Sequence, residues 1–196
     1  MKRWIRANDN EKPKSVGIDT ISSRIFMVTQ LGLFTVYDLR SFDVIFQKNW
    51  KKKTLRLHSF RLSNKVMIVF EHDIIVLDTD PVSNAFDELR EYSMALNTIS
   101  YACMNHNEKL LGVATVTAAA PEVTLYSAEN GFQRLKQIFG FKSTIKFLDF
   151  STDNYYMQVE DQVGEVTLYE IETDRPIQTD MLDFELEWLG PGLRNY

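Results

Sequence analysis

Three observations predict an all-β fold of about four repeated units, each a four-stranded antiparallel sheet. First, one strand-like stretch recurs as Leu33-Phe34-Thr35-Val36-Tyr37-Asp38, Asp73-Ile74-Ile75-Val76-Leu77-Asp78, Glu122-Val123-Thr124-Leu125-Tyr126-Ser127 and Glu165-Val166-Thr167-Leu168-Tyr169-Glu170. Second, its penultimate residue falls at Tyr37, Leu77, Tyr126 and Tyr169, at spacings of 40, 49 and 43. Third, the chain is 44% hydrophobic and 12% aromatic, a composition rich enough in strand formers to build a core.

A period of roughly 40–45 residues with four strands per unit is that of the WD repeat, so the expected fold is a partial WD-type β-propeller. The closing dipeptides Tyr-Asp, Leu-Asp, Tyr-Ser and Tyr-Glu stand where that repeat carries Trp-Asp. The aromatic or apolar residue would pack between blades, and the polar one would end the strand. An all-β sandwich with evenly spaced strands is the alternative. Seven such blades need about 280–320 residues, whereas this chain has 196. Further chain or another subunit is therefore expected to complete the ring, because a bare blade face is poorly tolerated.

Residues 1–14 are polar and basic and read as a flexible lead-in to a propeller spanning 15–196. The first blade, about 15–50, holds strands at 16–19, 24–29, 33–38 and 44–46. The second, about 54–92, has strands at 55–60, 65–70 and 74–78, then an irregular part at 82–91 in which 84–90 could form a helical turn. The third, about 96–139, has strands at 96–104, 110–114, 123–127 and 132–139, with a longer loop at 115–121 that accounts for the extra spacing. The fourth, about 144–182, runs 145–150, the turn Ser151-Thr152-Asp153-Asn154, 155–159, a tight turn at 161–164 and 165–170. Arg175-Pro176-Ile177 begins its outer edge, where a proline without an amide donor is tolerated. Residues 184–190 read as the start of a further strand.

Charge is unevenly placed. Residues 1–66 hold 14 basic and 5 acidic side chains, a net of +9; the other 8 basic and 22 acidic residues give −14, which together make −5. Such a split points to two faces with different partners, or to head-to-tail attraction between copies. No apolar run approaches the roughly 18–20 residues of a membrane span, and the basic start Met1-Lys2-Arg3-Trp4-Ile5-Arg6 lacks the apolar core of a secretory signal. The single cysteine, Cys103, cannot form an internal disulfide; it reads as a small buried strand residue, and a reducing cytosolic compartment fits.

The stretch with functional weight is Lys48-Asn49-Trp50-Lys51-Lys52-Lys53-Thr54-Leu55-Arg56. Lys48, Lys51, Lys52, Lys53 and Arg56 crowd with an exposed Trp50 into one expected inter-blade connection, and loops on a rigid scaffold are where binding residues gather. Such a cluster suits an acidic partner; an ordinary solvated lysine run is the plain alternative. An acidic chain without a stacking platform argues against nucleic acid. Enzyme chemistry finds no support. His58, His72 and His106 lack metal-ligand spacing, and neither a phosphate-cradling glycine loop nor a Gly-X-Ser-X-Gly elbow is present. Glu160-Asp161 and Glu185/Glu187 read as solvated faces. No cofactor or metal is expected.

Over residues 96–190 the chain resembles one WD-repeat family more closely. Val123 to Gly131, ending in Asn130-Gly131, followed by Gly140-Phe141-Lys142-Ser143-Thr144-Ile145-Lys146-Phe147-Leu148-Asp149-Phe150-Ser151, is similar to paired segments of echinoderm microtubule-associated-protein-like proteins. Asn154-Tyr155-Tyr156-Met157-Gln158, Gly164-Glu165-Val166-Thr167-Leu168-Tyr169 and Leu186-Glu187-Trp188-Leu189-Gly190 resemble later elements of that family. Phe141 stands for its histidine and Phe150 for its tryptophan, and the chain has no Gly-His or Trp-Asp dipeptide. The family's polar brace is thus absent, and packing of Tyr37, Leu77, Tyr126, Tyr169, Phe147 and Phe150 is expected to replace it. The resemblance implies a non-catalytic scaffold of the cytoplasmic cytoskeleton, in a cilium or flagellum or elsewhere. Tubulin or another cytoskeletal protein would be its partner, met by the basic N-terminal half. The alternative is an adaptor subunit of a non-cytoskeletal complex.

Overall fold

The computed structural model of the chain describes residues 12–79, 97–173 and 175–177. Among the described residues there are fifteen β-strands, no helix, and four antiparallel sheets. Two compact units divide the chain, Met1–Ala95 and Leu96–Tyr196.

In the first unit, β1 (Pro13–Asp19), β2 (Arg24–Thr29), β3 (Leu33–Asp38) and β4 (Val44–Asn49) form one meander in chain order. A second meander follows with β5 (Thr54–Ser59), β6 (Lys65–Phe70) and β7 (Ile74–Asp78). The second unit repeats the plan with β8 (Thr98–Met104), β9 (Leu110–Val116), β10 (Pro121–Ser127) and β11 (Gln133–Ile138). Its other sheet is β12 (Ile145–Phe150), β13 (Tyr156–Asp161), β14 (Val166–Glu170) and β15 (Arg175–Ile177). The recurring stretch found in the sequence is the third strand of every sheet: β3, β7, β10 and β14. A second periodic feature emerges only in the structure. Each first strand shifts register against its neighbour near its start, before Ser15, Arg56, Tyr101 and Phe147. A bulge at one fixed place bends and twists each first strand alike.

Within each unit the two sheets pack face to face. In the first, Phe26, Val28, Phe34 and Val36 meet Leu57, Val66, Ile68, Phe70, Ile75 and Leu77 in one buried cluster. The alternation of a strand explains the choice of face: residues two apart point the same way. The sheets approach most closely at β1 and β5. Gly17 allows that approach, because a Cβ there would stand 2.8 Å from Leu57 Cδ2 and 3.1 Å from Ser59 Cβ. In the second unit Leu125, Ile145, Leu148, Phe150, Met157, Val159 and Tyr169 form the matching core. Gly112 on β9 faces Leu148 and Phe150 in the same manner, with 3.0 Å from its would-be Cβ to each.

The expected packing residues Tyr37, Leu77, Tyr126, Tyr169 and Phe150 are buried, whereas Phe147 is half-buried with its ring 5.6 Å from Tyr101. Polar strand ends behave as expected at Asp38, whose Oδ1 accepts the amides of Arg40 (2.8 Å) and Ser41 (2.7 Å). Those amide bonds hold its carboxyl below the usual carboxylate range.

Several expectations are corrected. The strand expected at 44–46 continues to Asn49, so Lys48 lies on β4 rather than in a connection. The strand expected from Val16 starts at Pro13. The long loop at 115–121 shrinks to 117–120, because Val116 and Pro121 pair across β9 and β10. Cys103 is half-buried rather than fully enclosed. Glu160 and Asp161 are buried, not solvated: Lys146 pairs with Glu160, and Asp161 Oδ1 accepts the amides of Val163 (3.1 Å) and Glu165 (2.9 Å). Burial pushes the Asp161 carboxyl up, but those amides, that of Gly164 and the nearby Ser143 hydroxyl outweigh it and hold it low. Residues 1–11, the irregular 82–91 and the strand at 184–190 lie outside the described residues.

Candidate partner-binding surface

The basic stretch spans three elements. Lys48 and Asn49 end β4, residues 50–53 form a loop, and Arg56 lies on β5. Asn49 starts the loop by accepting the Lys51 amide at its Oδ1, 2.8 Å away. This is an Asx turn, a local geometry that asparagine favours. Lys51 then takes the left-handed conformation, φ 55°, which is sparsely populated for a residue with a Cβ. The backbone is fixed on both sides. Trp50 N donates to Gly32 O (3.2 Å), Thr54 N to Gln30 O (3.0 Å) and Glu71 N to Lys53 O (3.0 Å). The loop is thus strung between the β2–β3 and β6–β7 turns. Gly32 is required there on two counts: its φ is +90°, and a Cβ would stand 2.7 Å from Lys52 O.

Trp50 is not the exposed residue the sequence suggested. Its ring lies 6.0 Å from Phe34 and 5.9 Å from Phe70, packed on the first unit's core, and its Nε1 is buried without a hydrogen-bond partner. The alternation that puts Phe34 opposite Lys48 in the β3–β4 register also sets the Lys48 Nζ 5.0 Å over the Trp50 ring. That is cation–π distance.

The remaining cations divide into two kinds. Lys52 Nζ lies 2.8 Å from Asp73 Oδ2 and 5.8 Å over Phe70. Lys53 Nζ lies 2.8 Å from Glu71 Oε1, and its hydrogen bond holds the Glu71 carboxyl below the usual range. Lys51 is exposed and pairs with no carboxylate among the described residues, and Arg56 is exposed on β5. Lys52 and Lys53 are thus each matched by one carboxylate of the β6–β7 turn, with Lys51 exposed beside them. The sequence missed both the anchor and the acids. Glu71-His72-Asp73 was legible as a turn, and its two acids were the available signal.

Other polar groups offer less. His58 lies on β5, 5.3 Å from Phe60 in an edge-to-face contact, with its Nε2 buried and unpartnered. Burial, then the charges of Arg56 and Arg61, lowers it from the ordinary 6.5 to about 4. It is therefore neutral near pH 7, and among the described residues no carboxylate pairs with it. His72 and His106 are exposed in turns. A hollow of about 270 Å³, open to solvent, lies in the second unit beside Phe141, Lys142, Asp161, Glu165 and Tyr169. Lys142 Nζ and Glu165 Oε2, 3.0 Å apart, neutralise one another at its rim. Asp161 is committed to backbone amides, and burial, then Glu165, pushes the Tyr169 phenol up. Among the described residues no three His, Cys, Asp or Glu side chains gather as metal ligands. No protein-family model matches the chain, and no curated protein matches its sequence.

Proposed function

We propose that the chain is a non-catalytic scaffold whose sheets are blades of a WD-type propeller. In this reading it docks on an acidic protein surface through the loop at 50–53 and the flanking Lys48 and Arg56. The repeated third strand, the recurrent first-strand bulge and the close approach of first strands within each unit support blade architecture. The single observation carrying the binding role is the loop itself: an excess of cations on a backbone fixed to two turns. Binding loops on rigid scaffolds lose little entropy on docking.

The resemblance of residues 96–190 to echinoderm microtubule-associated-protein-like proteins makes the microtubule the proposed partner, with the cytoplasmic cytoskeleton, including that of a cilium or flagellum, as the site of action. The test is co-sedimentation with assembled microtubules. Changing Lys51, Lys52 and Lys53 to Glu is expected to abolish pelleting; unchanged pelleting would sink the assignment. An adaptor role in a non-cytoskeletal complex is favoured by one other observation. The second face of the first sheet carries exposed apolar residues: Val16, Ile18 and Val44 are 56%, 57% and 56% exposed. A stable soluble partner together with no microtubule binding would select it.

A further inference from the structure

We propose that Glu71 and Asp73 are built-in competitors for the basic loop, holding Lys52 and Lys53 until an acidic, glutamate-rich peptide segment displaces them. The inference rests on the reading of the loop as a docking site for acidic surfaces, and adds how that site is restrained.

The geometry supports it in three ways. Both acids sit on the β6–β7 turn, one residue apart on either side of His72, and each meets a different lysine at 2.8 Å. The pairs lie at the rim of the surface: the side chains of Lys52 and Lys53 are 37% and 57% exposed, those of Asp73 and Glu71 20% and 33%. Pairs reached by solvent on the lysine side are weak, so an incoming carboxylate can exchange with them. The loop backbone does not depend on them, because Glu71 N to Lys53 O, Trp50 N to Gly32 O and Thr54 N to Gln30 O fix it independently. Lysines released from their acids therefore remain in place beside Lys51, as a row of point charges.

The chemistry of the partner follows from what the loop lacks. Trp50 is wedged between Phe34 and Phe70 and offers no stacking face for a base. The loop's cations are lysines, whose ammonium groups are compact point charges that suit carboxylates presented singly along a peptide.

The experiment measures binding of a fluorescently labelled polyglutamate peptide to the whole chain by anisotropy at low salt. The E71Q/D73N variant is expected to bind about three- to tenfold more tightly than the parent, and the gain should shrink as salt rises. The single E71Q variant should show a smaller gain, and it guards against a folding defect in the double variant, as does a thermal melt of each. K51Q should bind about two- to fivefold more weakly. Glu129→Gln with Glu165→Gln removes two paired acids from the second unit. It matches the change in net charge and should leave affinity unchanged.

An E71Q/D73N variant no tighter than a binding parent overturns the competition and leaves the docking reading standing. An equal gain from the Glu129 and Glu165 changes overturns it too, by making the effect one of net charge. Equal gains for a single-stranded oligonucleotide overturn the assignment of partner chemistry. No binding of polyglutamate by any variant overturns the inference, while microtubule pelleting then decides the functional reading separately.

Discussion

Trp50 closes the end of the first unit's core cluster over Phe34 and Phe70. Trp50→Ala is expected to cost about 2–4 kcal/mol in urea unfolding, toward the lower end for large-to-small changes because the ring is only partly buried. His58 gives a pH signature. Its folded pKa, about 4, lies below the ordinary 6.5, so the unfolded chain takes up the proton first. Stability is full above pH 6.5 and is lost progressively as pH falls toward 4, by about 2 kcal/mol between pH 7 and pH 5. Unfolding of the parent at those two pH values should show this loss, and His58→Met should largely remove it. Asp38 and Asp161 act in a lower window, since their depressed carboxyls lose their contribution only as pH falls through the carboxylate range. The sequence spelled out every cation of the site but not its partner. Whether Lys53 meets Glu71 depends on the β6–β7 turn lying beside the loop, a contact across 18 residues that no local pattern encodes.

At the level of elements, strands with strong apolar signals were legible to the residue. Arg24–Thr29, Leu33–Asp38, Lys65–Phe70 and Ile145–Phe150 are found as expected, because each carries a run of buried or alternating apolar side chains. The end of β4 was misjudged because Gln47, Lys48 and Asn49 are exposed polar residues, held in the strand by ladder bonds and not by burial. The first-strand bulges were invisible, since they are set by pairing register and not by composition. Gly17 and Gly112 were equally silent in sequence, yet each marks where one sheet leans on the next. Gly112→Ala must push against Leu148 and Phe150 and is expected to destabilise the chain by about 1–2 kcal/mol, read as a shift in urea midpoint at unchanged slope. A stabilised variant would show that β9 and β12 have room to spare.

The molecule as a whole joins a repeated sheet plan to an uneven charge distribution. The two units share strand order, bulge position and core placement, which is the consistency expected of a repeat architecture. The first unit, residues 1–95, carries 15 basic and 12 acidic side chains, a net of +3, against 7 basic and 15 acidic, a net of −8, in the second; on the proposed reading an acidic partner meets the first unit. That attraction is screened by salt, so microtubule binding should weaken several-fold between about 50 and 200 mM salt in a pelleting assay. Salt-insensitive binding would instead point to the exposed apolar residues Val16, Ile18 and Val44. The most direct measurement is site-specific photo-cross-linking: a benzophenone side chain placed at Lys51, or at the exposed Tyr155 of the second unit, is irradiated in the presence of microtubules and the products identified by mass spectrometry. Tubulin adducts are expected from position 51 and none from position 155. Adducts from position 155 alone, or from neither, would rule out docking through the basic loop.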